Sequence, residues 1–258
     1  MSVNTINLEL QDEIRITPEY QLSLLGGFSL SRAGRRIDLP FSVQRLIAFL
    51  ALHPRELVRA YIAGSLWPES TQPRAEASLR STLWRTRTPC SQLVMSTNTH
   101  MRLVESLTVD VHLVTDLVHR LMDPASSFTH SESGPGELTH ELLPDWTADD
   151  WIFVERERLR QLCLHGLEAM SIRLLAQGRF GDAVEAGLAA VRAEPLRESA
   201  HRLLISIHLT EGNASEALRQ YDWYRQLLRS ELGLDPSPQV TDLVRYLGSD
   251  KGSAWNCN

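Results

Sequence analysis

The sequence predicts an α+β amino-terminal region of short strands, three helices and a hairpin, joined to an all-α region of repeated helix pairs. Three observations predict it. Apolar residues come in short runs broken by glycine as far as Pro40, then switch to helical spacing. An arginine-rich helix between two prolines is followed by two short alternating runs. The second half repeats itself at an offset of 34 residues.

The stretch "QLSLLGGFSLSRAGRRIDL", residues 21–39, interrupts its apolar runs with Gly-Gly and Ala-Gly-Arg, as a meander of short antiparallel strands does. Strands are expected near 21–25, 28–32 and 36–39. After Pro40, Val43, Leu46, Ile47 and Leu50 recur at helical spacing in "SVQRLIAFLAL", with Ser42 as the expected cap and Pro54 just past the end. A second helix fits "ELVRAYIAGSLW", stopped by Pro68. A third begins at Pro73, whose missing N–H suits the first helical position, and runs through "ASLRSTLWRTR". In "QLVMSTNTHMRLVE" two alternating runs flank a polar turn at 97–99, a hairpin carrying Arg102. Strands, three helices and a hairpin in this order make a winged helix-turn-helix. There the third helix enters the major groove of duplex DNA and the hairpin, or wing, touches the neighbouring backbone.

Advancing each residue of the third helix by about 100° puts Ala75, Leu79, Leu83 and Thr86 on one face, the expected core side. Arg74, Ala77, Ser78, Ser81 and Arg85 face the other way, flanked by Arg80 and Trp84. Small residues there permit close approach to a surface, and the arginines are long enough to reach phosphates or the acceptor edge of guanine. An ordinary amphipathic helix with a solvated basic face is the alternative. The net charge of −6 argues against a polyanionic partner for the chain as a whole. Its distribution does not: residues 15–102 hold 12 arginines against five acids, and residues 116–258 hold 14 basic against 22 acidic residues. Such asymmetry fits one segment facing a polyanion and another facing something else, or two solvated surfaces of unlike sign.

"DPASSFTHSESGPGEL", residues 123–138, has no period and is expected to be a surface loop. A long helix is expected from about Asp149, where Asp149 and Asp150 suit the positive end of the helix dipole better than a catalytic acid pair. Residues 174–188 and 208–222 then align so that Leu175 meets Leu209, Gly178 meets Gly212 and Ala183 meets Ala217. That is the period of the tetratricopeptide helix pair, with glycine at the turn and a small residue where the second helix packs on the first. "ELGLDPSPQVTDLVRYL" supplies a stop and one closing helix. Stacks of this kind bind protein.

Composition excludes several classes. A chain of 258 residues, 43% apolar, has the makeup of two globular domains. The start, "MSVNTINLELQDEIRI", lacks the basic and apolar regions of a signal peptide. No run approaches the roughly 18 to 20 apolar residues of a membrane span, so no membrane association is expected and the chain is read as cytoplasmic. Cys90, Cys163 and Cys257 are odd in number and far apart, which gives neither a disulfide framework nor a metal motif. There is no GxxxxGK[ST], HExxH or GxSxG. His112 and His119 lie seven apart without further ligands. No enzyme activity, metal or cofactor is expected.

Taken together these segments resemble the Streptomyces antibiotic regulatory protein family, whose members join an OmpR-type winged helix to a bacterial transcriptional activation domain. The second half carries the more specific likeness, through "ELLPDWTADDWIFVERERLRQL", "LLAQGRFGDAVEAGLAAVRAEPLRESAHRLL" and "EGNASEALRQYDWYRQLLRSELGLDPSP". The first half matches through "LLGGFSLSRAGRRIDL", the "SLW" before Pro68 and "LRSTLWRTR". The resemblance covers roughly residues 20–248. It implies a winged-helix DNA-binding domain over 15–108, a tetratricopeptide-like activation domain over 109–248 and a tail over 249–258. It also implies promoter double-stranded DNA as partner, with direct repeats near a −35 element, a homodimer or side-by-side copies, and recruitment of RNA polymerase, including its sigma factor.

Carried onto this sequence, the resemblance makes Arg74, Ser78, Ser81 and Arg85 groove contacts, Arg80 and Arg87 phosphate contacts, and Arg102 a wing residue. Trp84 is expected to pack against the domain's own sheet, with a sugar contact as the alternative. "PESTQ", residues 68–72, occupies the loop with which OmpR-type domains meet polymerase. The chain departs from the family in two ways. Ser78, Leu79, Leu83 and Trp84 replace the Thr-Leu-x-x-x-Val-Ser pattern of the recognition helix, so a target sequence does not carry over. The sequence ends soon after the closing helix, without the ATPase and sensor modules of the larger members, so regulation by nucleotide is not visible in it. The alternatives from other classes are a tetratricopeptide adaptor and a ligand-gated regulator.

Overall fold

Glycine and one carboxylate decide where the first strands stop. The computed structural model describes residues 20–86, 93–126, 134–147 and 149–249. These divide into two units, residues 20–24 with 28–110, and residues 25–27 with 111–249.

In chain order the first unit has β1 (Tyr20–Ser23), β2 (Ser29–Arg32), β3 (Arg35–Arg36), α1 (Phe41–Leu52), β4 (Leu57–Val58), α2 (Arg59–Leu66), α3 (Gln72–Thr86), β5 (Val94–Ser96), β6 (His100–Leu103) and β7 (Leu107–Val109). One sheet runs β3-β2-β1-β7, antiparallel except for the parallel β1 and β7 pair. β1 ends earlier than expected because the Leu24 amide donates to both carboxylate oxygens of Asp110, at 3.0 and 2.9 Å. Gly26 and Gly27 follow at φ 73° and 141°, where side chains are rarely tolerated. The third strand is two residues long, and 37–39 lead into α1 without pairing as a strand.

α1 buries Val43, Leu46, Ile47, Phe49 and Leu50 on the helical spacing that marks them in the sequence. Its cap is Pro40, not Ser42: Ser42 lies inside the helix with its hydroxyl buried and unbonded. The second helix starts three residues later than expected. Leu57 and Val58 are taken by β6, in register with Met101 and His100, to form a second sheet of order β4-β6-β5. The expected hairpin around 97–99 is β5 and β6.

The second unit has α4 (Asp110–Met122, its first residue counted with the first unit), a 3-10 turn (Pro135–Leu138), α5 (Asp150–Ala176), α6 (Phe180–Ala193), α7 (Glu198–Thr210), α8 (Ala214–Leu232) and α9 (Pro238–Ser249). The stretch 123–138 is therefore not all loop. Its last turn is ordered because Leu138 is buried, and residues 127–133 lie outside the described residues.

The offset of 34 recurs bond for bond. Gly178 and Gly212 take φ 72° and 85° at the ends of α5 and α7. The amide of Arg179 donates to Leu174 O at 3.0 Å, and that of Asn213 to His208 O at 2.7 Å, the closing bond of a left-handed helix stop. Ala183 and Ala217 are wholly buried one turn into the following helix. α9 closes the stack through Val240 and Val244 against Ile205 and Ala217. Asp149 stands at the N-cap of α5, where its carboxylate accepts from Trp151 Nε1 at 3.2 Å.

Candidate nucleic-acid interface

Proline and one buried stripe orient α3. Pro73 is the second residue of the helix, within the first turn where its absent N–H costs nothing. Ala75, Leu79, Thr82 and Thr86 are the buried residues. This corrects the expected core face at one position. Advancing about 100° per residue puts Thr82 beside Ala75 and leaves Leu83 roughly 40° outside Leu79, so Thr82 is buried and Leu83 half-buried. The hydroxyl of Thr86 is satisfied within the helix by Leu83 O at 2.7 Å.

The opposite face is open. Arg74, Ala77, Arg80, Ser81 and Arg85 are exposed, and Ser78 is half-buried. Trp84 is 71% exposed, which corrects the expectation that it packs on the domain's own sheet. The buried stripe lies far round the helix from it, so the helix turns the indole away from the core. Among the described residues none of Arg74, Arg80 and Arg85 has a hydrogen-bond or ion-pair partner. The one carboxylate on α3, Glu76, accepts from Gln72 Nε2 at 3.1 Å. Arg87 lies outside the described residues.

The hairpin is tied to α2 by a residue that sequence reasoning missed. The Arg59 amide donates to Thr99 O at 2.8 Å. Its guanidinium donates to Ser96 Oγ at 2.9 Å and to Thr97 O at 3.2 Å. The first turn of α2 is thereby fixed to the hairpin turn. Arg59, Arg80, Asn98 and Thr99 line a cleft of about 450 Å³ together with Leu79 and Glu76. No signal in the sequence singles out Arg59, because its role depends on β4 pairing with β6. Arg102 sits on β6 as expected, but its guanidinium is paired at 2.7 Å with Glu105, which follows the strand. The loop 68–71 joins α2 to α3 at the surface.

This arrangement has the chemistry of polyanion recognition. Three guanidiniums without partners among the described residues, a small hydroxyl at the surface and an exposed indole lie on one helix face, beside a hairpin whose turn carries Asn98 and Thr99.

Comparison with known proteins places the chain. Residues 113–247 match the family described as bacterial transcriptional activator domain. The chain is 28% identical over 250 residues to the regulatory protein AfsR of Streptomyces coelicolor, covering 91% of this chain and 25% of that protein. It is 27% identical over 216 residues to the regulatory protein AfsR of Streptomyces griseus, covering 80% and 22%. The chain thus spans about a quarter of the length of the curated relatives it matches. Among solved structures, Mycobacterium tuberculosis EmbR, determined with a low-affinity phosphopeptide, superposes with a TM-score of 0.68 at 18% identity, over 90% of this chain and 65% of that one. That likeness is one of fold, an α/β amino-terminal part followed by a helical region. With the matched domain taking in just over half of its 258 residues, the chain belongs to the bacterial transcriptional activator domain family.

Proposed function

We propose that this chain is a sequence-specific DNA-binding transcriptional activator that binds direct repeats beside a promoter −35 element and recruits RNA polymerase. The observation that carries the reading is the open face of α3, with Arg74, Arg80 and Arg85 unpaired among the described residues and Trp84 exposed, in a chain whose other half matches an activator domain. In this reading residues 15–108 form an OmpR-type winged helix-turn-helix, with α3 as the recognition helix and β5 and β6 as the wing. Residues 109–248 form the tetratricopeptide-like activation domain and 249–258 a tail.

Arg74, Ser78, Ser81 and Arg85 select the bases, Arg80 and Arg87 hold phosphates, and Arg102 lies on the wing. Trp84, free of the core, lies over a sugar. Phosphate contacts supply salt-dependent affinity and base contacts choose the site. The helical unit positions a second copy or the polymerase with its sigma factor, and the work is done in the cytoplasm. Two copies on one face of the duplex need repeats about 10 to 10.5 bp apart, or a multiple of that.

The test is recovery of genomic fragments by the purified protein at roughly physiological ionic strength, followed by footprinting. Protected direct repeats beside a −35 element, with affinity falling steeply as salt rises, are expected. No enrichment at any salt concentration would leave a protein-binding adaptor as the better reading.

A further inference from the structure

The helical unit holds a cavity of about 230 Å³ that the DNA reading does not use. Its wall is aliphatic: Leu138 and Leu142 on one side, Leu159, Cys163 and Leu167 of α5 on the other, all at most 7% exposed. The wall is thus preformed by the core and needs no rearrangement to receive a guest. Two arginines stand at the rim, and neither is available to a ligand. Arg156 donates to Leu142 O at 2.9 Å and Leu143 O at 2.6 Å, and pairs with Glu141 at 3.1 Å. Arg160 is held between Glu157 at 2.9 Å and Glu194 at 2.5 Å. The Cys163 thiol is pushed up to about 11 by burial, so it stays protonated and offers no nucleophile near neutral pH.

Size and charge together define the guest. An apolar cavity of roughly 150 Å³ takes up benzene, so this one has room for a somewhat larger ring system. With both guanidiniums already neutralised, an anion gains no partner and loses its hydration. Thr139 and exposed His140 are at the rim to meet one polar group. We propose that this cavity is a binding site for a neutral, mainly apolar one- or two-ring molecule with a single polar end. Occupancy braces Glu141 and Leu142 from within. Their backbone in turn holds residues 25–27, through Gly26 N to Glu141 O at 2.8 Å and the bridge between Leu25 and Leu142.

The test uses the full-length protein with indole as probe, read by calorimetric titration and by amide hydrogen exchange, without DNA. Its failure therefore leaves the DNA reading untouched. Saturable one-to-one binding is expected, with indole-3-carboxylate at least tenfold weaker and with exchange at the Gly26 amide slowed when indole is bound. Cys163→Phe fills the cavity, and Ala193→Phe, at an exposed rim position, covers it without entering the core. At least a tenfold loss of indole affinity is expected in Ala193→Phe, and in Cys163→Phe if that variant folds. Absence of saturable binding, tighter binding of the carboxylate, or unchanged affinity in Ala193→Phe would overturn the site; indole binding with Gly26 exchange unaltered would overturn the coupling.

Discussion

Arginine does opposite work on α3 and in the helical unit. On α3, Arg74, Arg80 and Arg85 project into solvent without partners among the described residues. In the helical unit the same side chain is a structural tie. Arg173 of α5 donates to Leu121 O at 2.8 Å, to Ser126 O at 2.7 Å and also to the carbonyls of Arg120 and Asp123, so it caps the end of α4 from a neighbouring helix. Arg197 makes a two-pronged pair with Glu168 at 2.8 and 3.0 Å, and Arg156 gathers three carbonyls from 142–146. Charge counted along the chain does not separate these roles. What separates them is whether the fold has already supplied acceptors, because a guanidinium with its donors satisfied has little left to offer a phosphate.

Removing a tie should cost the most. Arg173→Ala leaves the last carbonyls of α4 without donors, and a loss of about 3 kcal/mol of folding stability is expected from charged hydrogen bonds of this kind. Urea unfolding of the variant would measure it, and a loss under about 1 kcal/mol would mean that water caps α4 equally well. Arg85→Ala should do the reverse. Specific DNA affinity falls by about 2 kcal/mol with relaxed discrimination, as for a lost base contact, while stability stays within about 0.5 kcal/mol. An unchanged footprint and affinity would remove Arg85 from the interface.

The pair of Arg197 and Glu168 sharpens the contrast through pH. Burial alone would raise the Glu168 carboxyl, but hydrogen bonds from Arg197 and Ser199 outweigh it and hold the group below its ordinary value of 4.5. Its contribution is therefore fully present above 4.5 and is lost as pH falls through the depressed folded value. Stability measured from neutrality downward should begin to drop below that point. Glu168→Gln should be less stable at neutral pH and show a shallower acid slope. Trp84→Ala should have the smallest effect on folding, within about 0.5 kcal/mol, because so little of the indole is covered. A larger loss would show that Trp84 packs after all.

The helical half was the more legible in the sequence. Glycine where φ must be positive and alanine where two helices touch are local requirements, so the 34-residue alignment of Gly178 with Gly212 and Ala183 with Ala217 carried straight into the backbone. The helical spacing of α1 and the hairpin around 97–99 were equally local. Strand boundaries were misread where a distant partner intervened. Leu57 and Val58 are helical by pattern but are captured by β6. β1 stops where Asp110, 86 residues away, takes the Leu24 amide.

By itself, then, the sequence determined the order of strands, helices and hairpin, the repeat, and the set of side chains on the open face of α3, because periodicity and turn chemistry act within a few residues. The tertiary structure decided which arginines of α3 lack partners among the described residues, that Arg59 ties the hairpin to α2, that Trp84 is left outside the core, and that the helical unit holds a cavity. Each of these depends on what a side chain meets from another element, and composition and spacing carry no record of that meeting.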